Sequence, residues 1–140
     1  MELVTIILSG VYVQKNSNGE SSILNSGDVQ LMSCGSVISH FEYNLSSTAR
    51  LNCMQFCFAP KKEDEKPSTT VIQLNSTKNN LQVLVSPEGN KEGLSSMGQD
   101  FYLLHGYFKE NHSQNYILKD ENKGFVVVNI EGELIVNEEH

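Results

Sequence analysis

"ELVTIILSGVYVQK", residues 2–15, decides the fold class. Val, Thr and Ile dominate the stretch, and their branched β-carbons favour extended backbone over helix. Gly10 interrupts the run, and a bulge or bend between two strand segments is expected there. "NSNGE" (16–20) follows, and its Asn18–Gly19 pair is a strong hairpin signal, because the tight turns that join twisted strands need positive φ at their centre.

The same rhythm continues downstream. "SSILNSGDVQLMS" (21–33) reads as a short strand, a turn at Gly27–Asp28 and another strand, with the Asp28 side chain serving the turn as acceptor. "SVISHFEYN" (36–44) reads as a strand or strand edge. "LNCMQFCFAP" (51–60) alternates in part and stops at Pro60. No helical period stands out in residues 1–60. Several short strands joined by Gly- and Asn-rich turns predict a small barrel or sandwich.

"KKEDEKPS" (61–68) is a charge run containing a proline. It reads as a solvated linker and divides the chain into 1–60 and 69–140. Beyond it, "TTVIQLN", "NLQVLVSP", "FYLLHGYF", "QNYILKD" and "KGFVVVNIEGELIVN" are expected as strands, and "EGNKEGLSSMGQD" as a turn-rich excursion. "NIEGELIVN" (129–137) weakly repeats "IILSGVYV" (6–13), suggesting two related β-units.

Composition narrows the function classes. The chain has 140 residues, 39% apolar and 19% charged, which suits one globular domain, or one and part of another. Net charge is −7, with −2 in residues 1–60 from Lys15 and Arg50 against Glu2, Glu20, Asp28 and Glu42. Without a basic patch, neither nucleic acid nor an anionic membrane is an expected partner. No apolar run is long enough to span a bilayer. "MELVTIILSG" lacks the basic flank of a targeting segment. Cys34, Cys53 and Cys57 are odd in number, and strand residues four apart lie roughly 13 Å apart, too far for a disulfide. They read as reduced, small apolar residues of a cytoplasmic protein.

Candidate chemistry centres on His40 and Glu42. In a strand, residues i and i+2 share a face, so imidazole and carboxylate point the same way. Spacing leaves two readings open: half of a metal site, or a hydrogen-bonded pair on a wet face. Transition-metal sites take three or four protein ligands. His105 in "LLHGYF" reads as core or cleft packing, His112 in "ENHSQN" as surface, and His140 as a terminal residue. Cys34 beside Gly35 has no basic neighbour to activate it. Phe56, Phe58, Phe101 and Tyr102 read as core.

Three stretches, "MELVTIILSG" (1–10), "NSGDVQLMSCGSVISHFEYN" (25–44) and "SSTARLNCMQFCFAP" (46–60), resemble the pirin family of the cupin superfamily, with its bacterial quercetinase-like members. The 25–44 block resembles the family's glycine–acid turn followed by a run ending in histidine, any residue, glutamate and an aromatic or apolar residue. Residues 68–137 resemble the linker and first part of a second cupin more loosely.

The resemblance implies an all-β, cupin-type β-barrel or jelly roll. It implies an incomplete N-terminal cupin (1–60), a linker (61–68) and part of a C-terminal cupin (69–140), truncated at both ends. The family holds one metal, usually iron, on three histidines and a glutamate. His40 and Glu42 match the last two ligands. The first two lie in a histidine–proline–histidine stretch that precedes the family's equivalent of residues 1–10. The implied cofactor is Fe(II) or another divalent metal in an incomplete site. The implied activity is iron-dependent quercetin 2,3-dioxygenase-type oxidation of a flavonol-like molecule, with Glu42 as catalytic proton acceptor. The alternative is a truncated, inactive relative, or a metal-dependent co-regulator that binds a protein partner. Exposed strand edges predict self-association.

Overall fold

The structure, a computed structural model, describes residues 1–35, 39–61, 66–75 and 77–137. Ten strands and no helix occur among them: β1 (Glu2–Ser9), β2 (Val11–Asn16), β3 (Ser21–Asn25), β4 (Asp28–Ser33), β5 (His40–Asn44), β6 (Asn52–Phe58), β7 (Ser68–Gln73), β8 (Asn80–Pro87), β9 (Ser95–Met97) and β10 (Leu103–Tyr107). They form sheets ordered β6-β1-β4-β7, β3-β2-β5 and β10-β8-β9.

The first two sheets are built from long strands that turn a corner. β1 runs into β2 at Gly10, and β3 runs into β4 at Ser26–Gly27. β1 pairs antiparallel with β4 (Glu2 opposite Ser33, Ile6 opposite Val29), while β2 pairs antiparallel with β3 (Val11 opposite Asn25, Lys15 opposite Ser21). One bent hairpin therefore supplies two strands to each sheet. β5 and β6 follow the same path on the other side of it, pairing with β2 and β1.

The corner has a local cause. The β1–β6 register shifts between Ile7 and Ser9, and Gly10 has φ +88°. A Cβ at Gly10 would sit 2.6 Å from the Arg50 carbonyl oxygen, so the passing chain leaves no room for a side chain. The expected bend is thus where the chain changes sheets. Asn18–Gly19 forms the expected turn, with the Gly19 N–H donating to the Asn16 carbonyl at 3.1 Å. Asp28 caps the second corner: its Oδ2 accepts from the Asn25 N–H at 2.7 Å and its Oδ1 from the Gln73 amide at 3.2 Å.

Strand alternation gives β1 two different burials. Val4 and Ile6 pack with Val29, Leu31, Leu84, Val85 and Met97 in one core layer between the first and third sheets, with Phe56, Phe58 and Phe101 against it. The rings of Phe58 and Phe101 stack at 4.5 Å. The opposite face of β1 looks toward the second sheet. There Ile7 packs with Tyr12 and Leu24, and Leu3 with Met32 and Cys34.

Two expected features bear on this arrangement. The first concerns the 61–68 boundary. β7 begins at Ser68 and pairs with β4 along its whole length, Asp28 opposite Gln73 through Ser33 opposite Ser68. The hydrophobic layer likewise crosses the boundary, since Leu84, Val85 and Met97 pack with Val4, Ile6, Val29 and Leu31. Residues 62–65 of the expected linker lie outside the described residues. The second concerns "QNYILKD" and "KGFVVVNIEGELIVN". Their described residues form no strand, only an isolated bridge at Val136. A strand's N–H and C=O groups need a neighbouring strand, and beyond that bridge no described segment forms a ladder with this one.

Candidate metal centre

β5 presents its two faces cleanly. Phe41 and Tyr43 point outward, with Phe41 70% exposed, and His40 and Glu42 take the opposite face, as the i, i+2 spacing requires. The His40 Nε2 lies 3.2 Å from Glu42 Oε1, with side-chain exposures of 15% and 31%. The pair therefore sits near an opening rather than in a sealed core.

The strands around β5 surround this pair with polar groups. Glu42 lies opposite Gln14 on β2, and His40 opposite Asn16. The Gln55 amide, from β6, donates to Glu42 Oε1 at 3.0 Å and to the Thr5 hydroxyl at 3.1 Å. Deeper in, the Gln30 amide donates to Gln14 Oε1 and to the Ser22 hydroxyl, both at 3.1 Å. Thr5, Gln14 and Gln30 are almost wholly buried. Buried amides of this kind persist only when hydrogen-bonded to one another, and here they tie the two sheets together.

Tyr12 belongs to the same surface. Burial, then the adjacent Glu42 carboxylate, push its phenol well above the ordinary tyrosine range. Its hydroxyl meets no partner in full hydrogen-bond geometry among the described residues; the effect of Glu42 is that of a nearby charge, which needs no aligned bond. Burial likewise pushes the Cys34 thiol up, against the pull of the Met1 ammonium, and partial burial with Glu42 does so for Cys53. These thiols stay protonated and are poor nucleophiles at neutral pH. Cys34 is buried, as a small apolar residue should be, but Cys53 and Cys57 are exposed. They share a face of β6 with Gln55, opposite the Met54–Phe56–Phe58 face that packs in the core.

The donor chemistry of His40 and Glu42 suits a divalent transition metal. His40 Nδ1 is buried without a hydrogen-bond partner among the described residues. The number of ligands falls short: no group of three His, Cys, Asp or Glu side chains able to hold a metal occurs among the described residues. His40 and Glu42 thus offer two donors of a suitable kind, fewer than the three or four protein ligands such an ion takes.

The other candidates lie elsewhere. His105 lines an open cleft of about 410 Å³ with Ile7, Leu8, Ser26, Gly27, Leu74 and Tyr107, and burial holds its imidazole pKa below the usual histidine value. His112 stacks on Phe108 at 5.2 Å in an exposed turn. His140 lies outside the described residues. The sequence reading missed Thr5, Tyr12, Gln14, Gln30 and Gln55. One signal was present: Tyr12 and Gln14 are i, i+2 neighbours, and Gln55 stands midway between Cys53 and Cys57.

The pirin family model matches residues 1–57. Over that stretch the chain is similar to the pirin family. It is 26% identical over 137 residues to a quercetin 2,3-dioxygenase of Escherichia coli, covering 98% of this chain and 58% of that protein. It is 28% identical over 118 residues to the Escherichia coli pirin-like protein YhaK, covering 84% and 49%. The crystal structure of the bacterial pirin YhhW of Escherichia coli in complex with nickel(II) superposes with a TM-score of 0.67 at 29% identity, covering 76% of this chain and 44% of that one. The fold is therefore the all-β cupin jelly roll. The chain spans about half the length of the curated relatives it matches. Among the described residues no helix is long and apolar enough to cross a membrane.

Proposed function

We propose that this chain is a metal-binding cupin of the pirin type, in which His40 and Glu42 supply two ligands to a divalent ion. Fe(II) is the ion suited to oxidation with dioxygen, and the substrate class is a flavonol-like hydroxylated aromatic, as the name of the Escherichia coli relative suggests. The observation that supports this reading is the pair itself: histidine and carboxylate on one face of β5, 3.2 Å apart, beside the neutral amides and hydroxyls of Gln55, Gln14, Thr5 and Tyr12.

When bound, such an ion supplies Lewis acidity and a path for electrons toward dioxygen. The protein's own groups have separate tasks. Glu42 is placed to accept a proton from a substrate hydroxyl. Gln55 fixes its orientation by the 3.0 Å bond to Oε1. Tyr12 remains protonated and keeps a donor beside the carboxylate. With two protein ligands, the other coordination positions fall to water or substrate, and affinity is correspondingly low.

The second reading is a metal-dependent protein-binding role. It draws on the outward face of the second sheet, where Ile23, Phe41, Tyr43 and Leu45 are all exposed. On either reading, a second cupin unit over 69–140 lends β7 to the first sheet and starts its own sheet with β8–β10. The three free thiols suit a reducing, cytoplasmic compartment.

The test is quercetin loss coupled to dioxygen uptake. Turnover that requires added Fe(II) and is abolished by His40→Ala supports the enzyme. Bound iron without turnover favours the protein-binding role.

A further inference from the structure

Two buried donors on β2, the Tyr12 hydroxyl and Gln14 Nε2, have no hydrogen-bond partner among the described residues. Their side chains are 2% and 5% exposed, so the first and second sheets themselves enclose them. Tyr12 and Gln14 stand i, i+2 on one face of the strand. Gln14 lies directly opposite Glu42 of β5, and Tyr12 lies opposite Asn44, diagonal to Glu42. Side chains directly opposite in an antiparallel pair start about 5 Å apart at Cβ, and diagonal ones about 7 Å, within reach of a glutamate. Gln14 Oε1 is taken by the Gln30 amide at 3.1 Å, which leaves Nε2 as the free end.

A buried donor left unpaired is costly, and a carboxylate is the strongest acceptor a side chain can offer it. In the structure the Glu42 carboxylate is turned toward the first sheet instead. Its Oε1 receives the Gln55 amide at 3.0 Å and faces His40 Nε2 at 3.2 Å. Glu42 thus has two competing sets of partners, an outer set of Gln55 and His40 and an inner set on β2. We propose that Glu42 is a two-position carboxylate, which moves from Gln55 and His40 to the Gln14 amide and the Tyr12 hydroxyl and so uncovers His40 Nε2. The move is a change of staggered side-chain torsions and needs no shift of β5. Use of the uncovered nitrogen as a ligand rests on the metal reading above. The movement does not, and its test uses no metal.

The experiment uses the full chain in two measurements. The first is a double-mutant cycle read by urea denaturation. Gln14→Met removes the inner amide and keeps its shape. It should lower the folding constant about threefold or more beyond its effect in a Glu42→Met background. That coupling should grow when Gln55→Met removes the outer amide. Tyr12→Phe, which loses a single oxygen, gives the same cycle where Gln14→Met does not fold. The second is the rate at which diethyl pyrocarbonate modifies His40, read by mass spectrometry of the peptide that contains it. Gln55→Met, which favours the inner position, should speed the modification, and Gln14→Met should slow it. Additive stabilities for both inner variants would overturn the proposal, because Glu42 would then not be their partner. So would a His40 rate that Gln14→Met and Gln55→Met move in the same direction, because the two amides would then not compete for one carboxylate.

Discussion

Gln55 and Glu42 face one another across the two sheets of the barrel, the amide of one donating to the carboxylate of the other at 3.0 Å. They lie on strands joined by a short connection, yet they reach this contact only because β5 and β6 pair with different halves of the same bent hairpin. The candidate site thus depends on the corner at Gly10 as much as on its own residues.

That dependence is testable at Gly10. Its φ is +88°, and a Cβ there would lie 2.6 Å from the Arg50 carbonyl oxygen and 2.9 Å from the Leu51 Cα. Gly10→Ala combines a left-handed backbone penalty with a backbone clash that cannot relax by a rotamer change. It should cost about 3 kcal/mol, read from urea denaturation followed by circular dichroism. A loss below about 1 kcal/mol would show that the corner has other ways to form.

Leu84 is wholly buried in the layer shared by Val4, Ile6, Val29 and Leu31. Leu84→Ala should destabilise the chain by about 2–5 kcal/mol. Because the layer is common to the first and third sheets, amide exchange in β1 and β4 should accelerate together with that in β8. Acceleration confined to β8–β10 would mean that the two parts unfold independently.

His105 gives a pH dependence. Burial lowers its folded pKa from the ordinary value of 6.5. The unfolded chain then takes up a proton at a higher pH than the folded chain. The resulting contribution is fully present above pH 6.5 and is lost as pH falls through the lower, folded value. His105→Gln should flatten the slope of stability against pH below 6.5, measured by denaturation at a series of pH values. An unchanged slope would assign the acid sensitivity to other groups.

Much of the fold was legible in local sequence. The β-branched run, Gly10 and Asn18–Gly19 announced strand, corner and turn. The i, i+2 spacing of His40 and Glu42 was enough to place them on one face. The partners of each strand were not legible. β7 pairs with β4 across a charged segment because β4 has an open edge and an apolar face to cover, and no local pattern encodes that. The valines at 126–128 satisfied every propensity for strand and still formed none, since propensity supplies no neighbour to bond with. The buried amides of Gln14 and Gln30 were missed for a related reason: glutamine reads as surface until its partner on another strand is known.

The most direct test of the metal reading is a titration of metal-free protein with Ni(II), followed by calorimetry, for the wild type and for His40→Ala and Glu42→Ala. The expected result is one equivalent of weakly bound ion and a loss of about tenfold or more in affinity in each variant, with the strand spectrum retained. Undetectable binding by the wild type, or binding that survives the removal of both side chains, would contradict it.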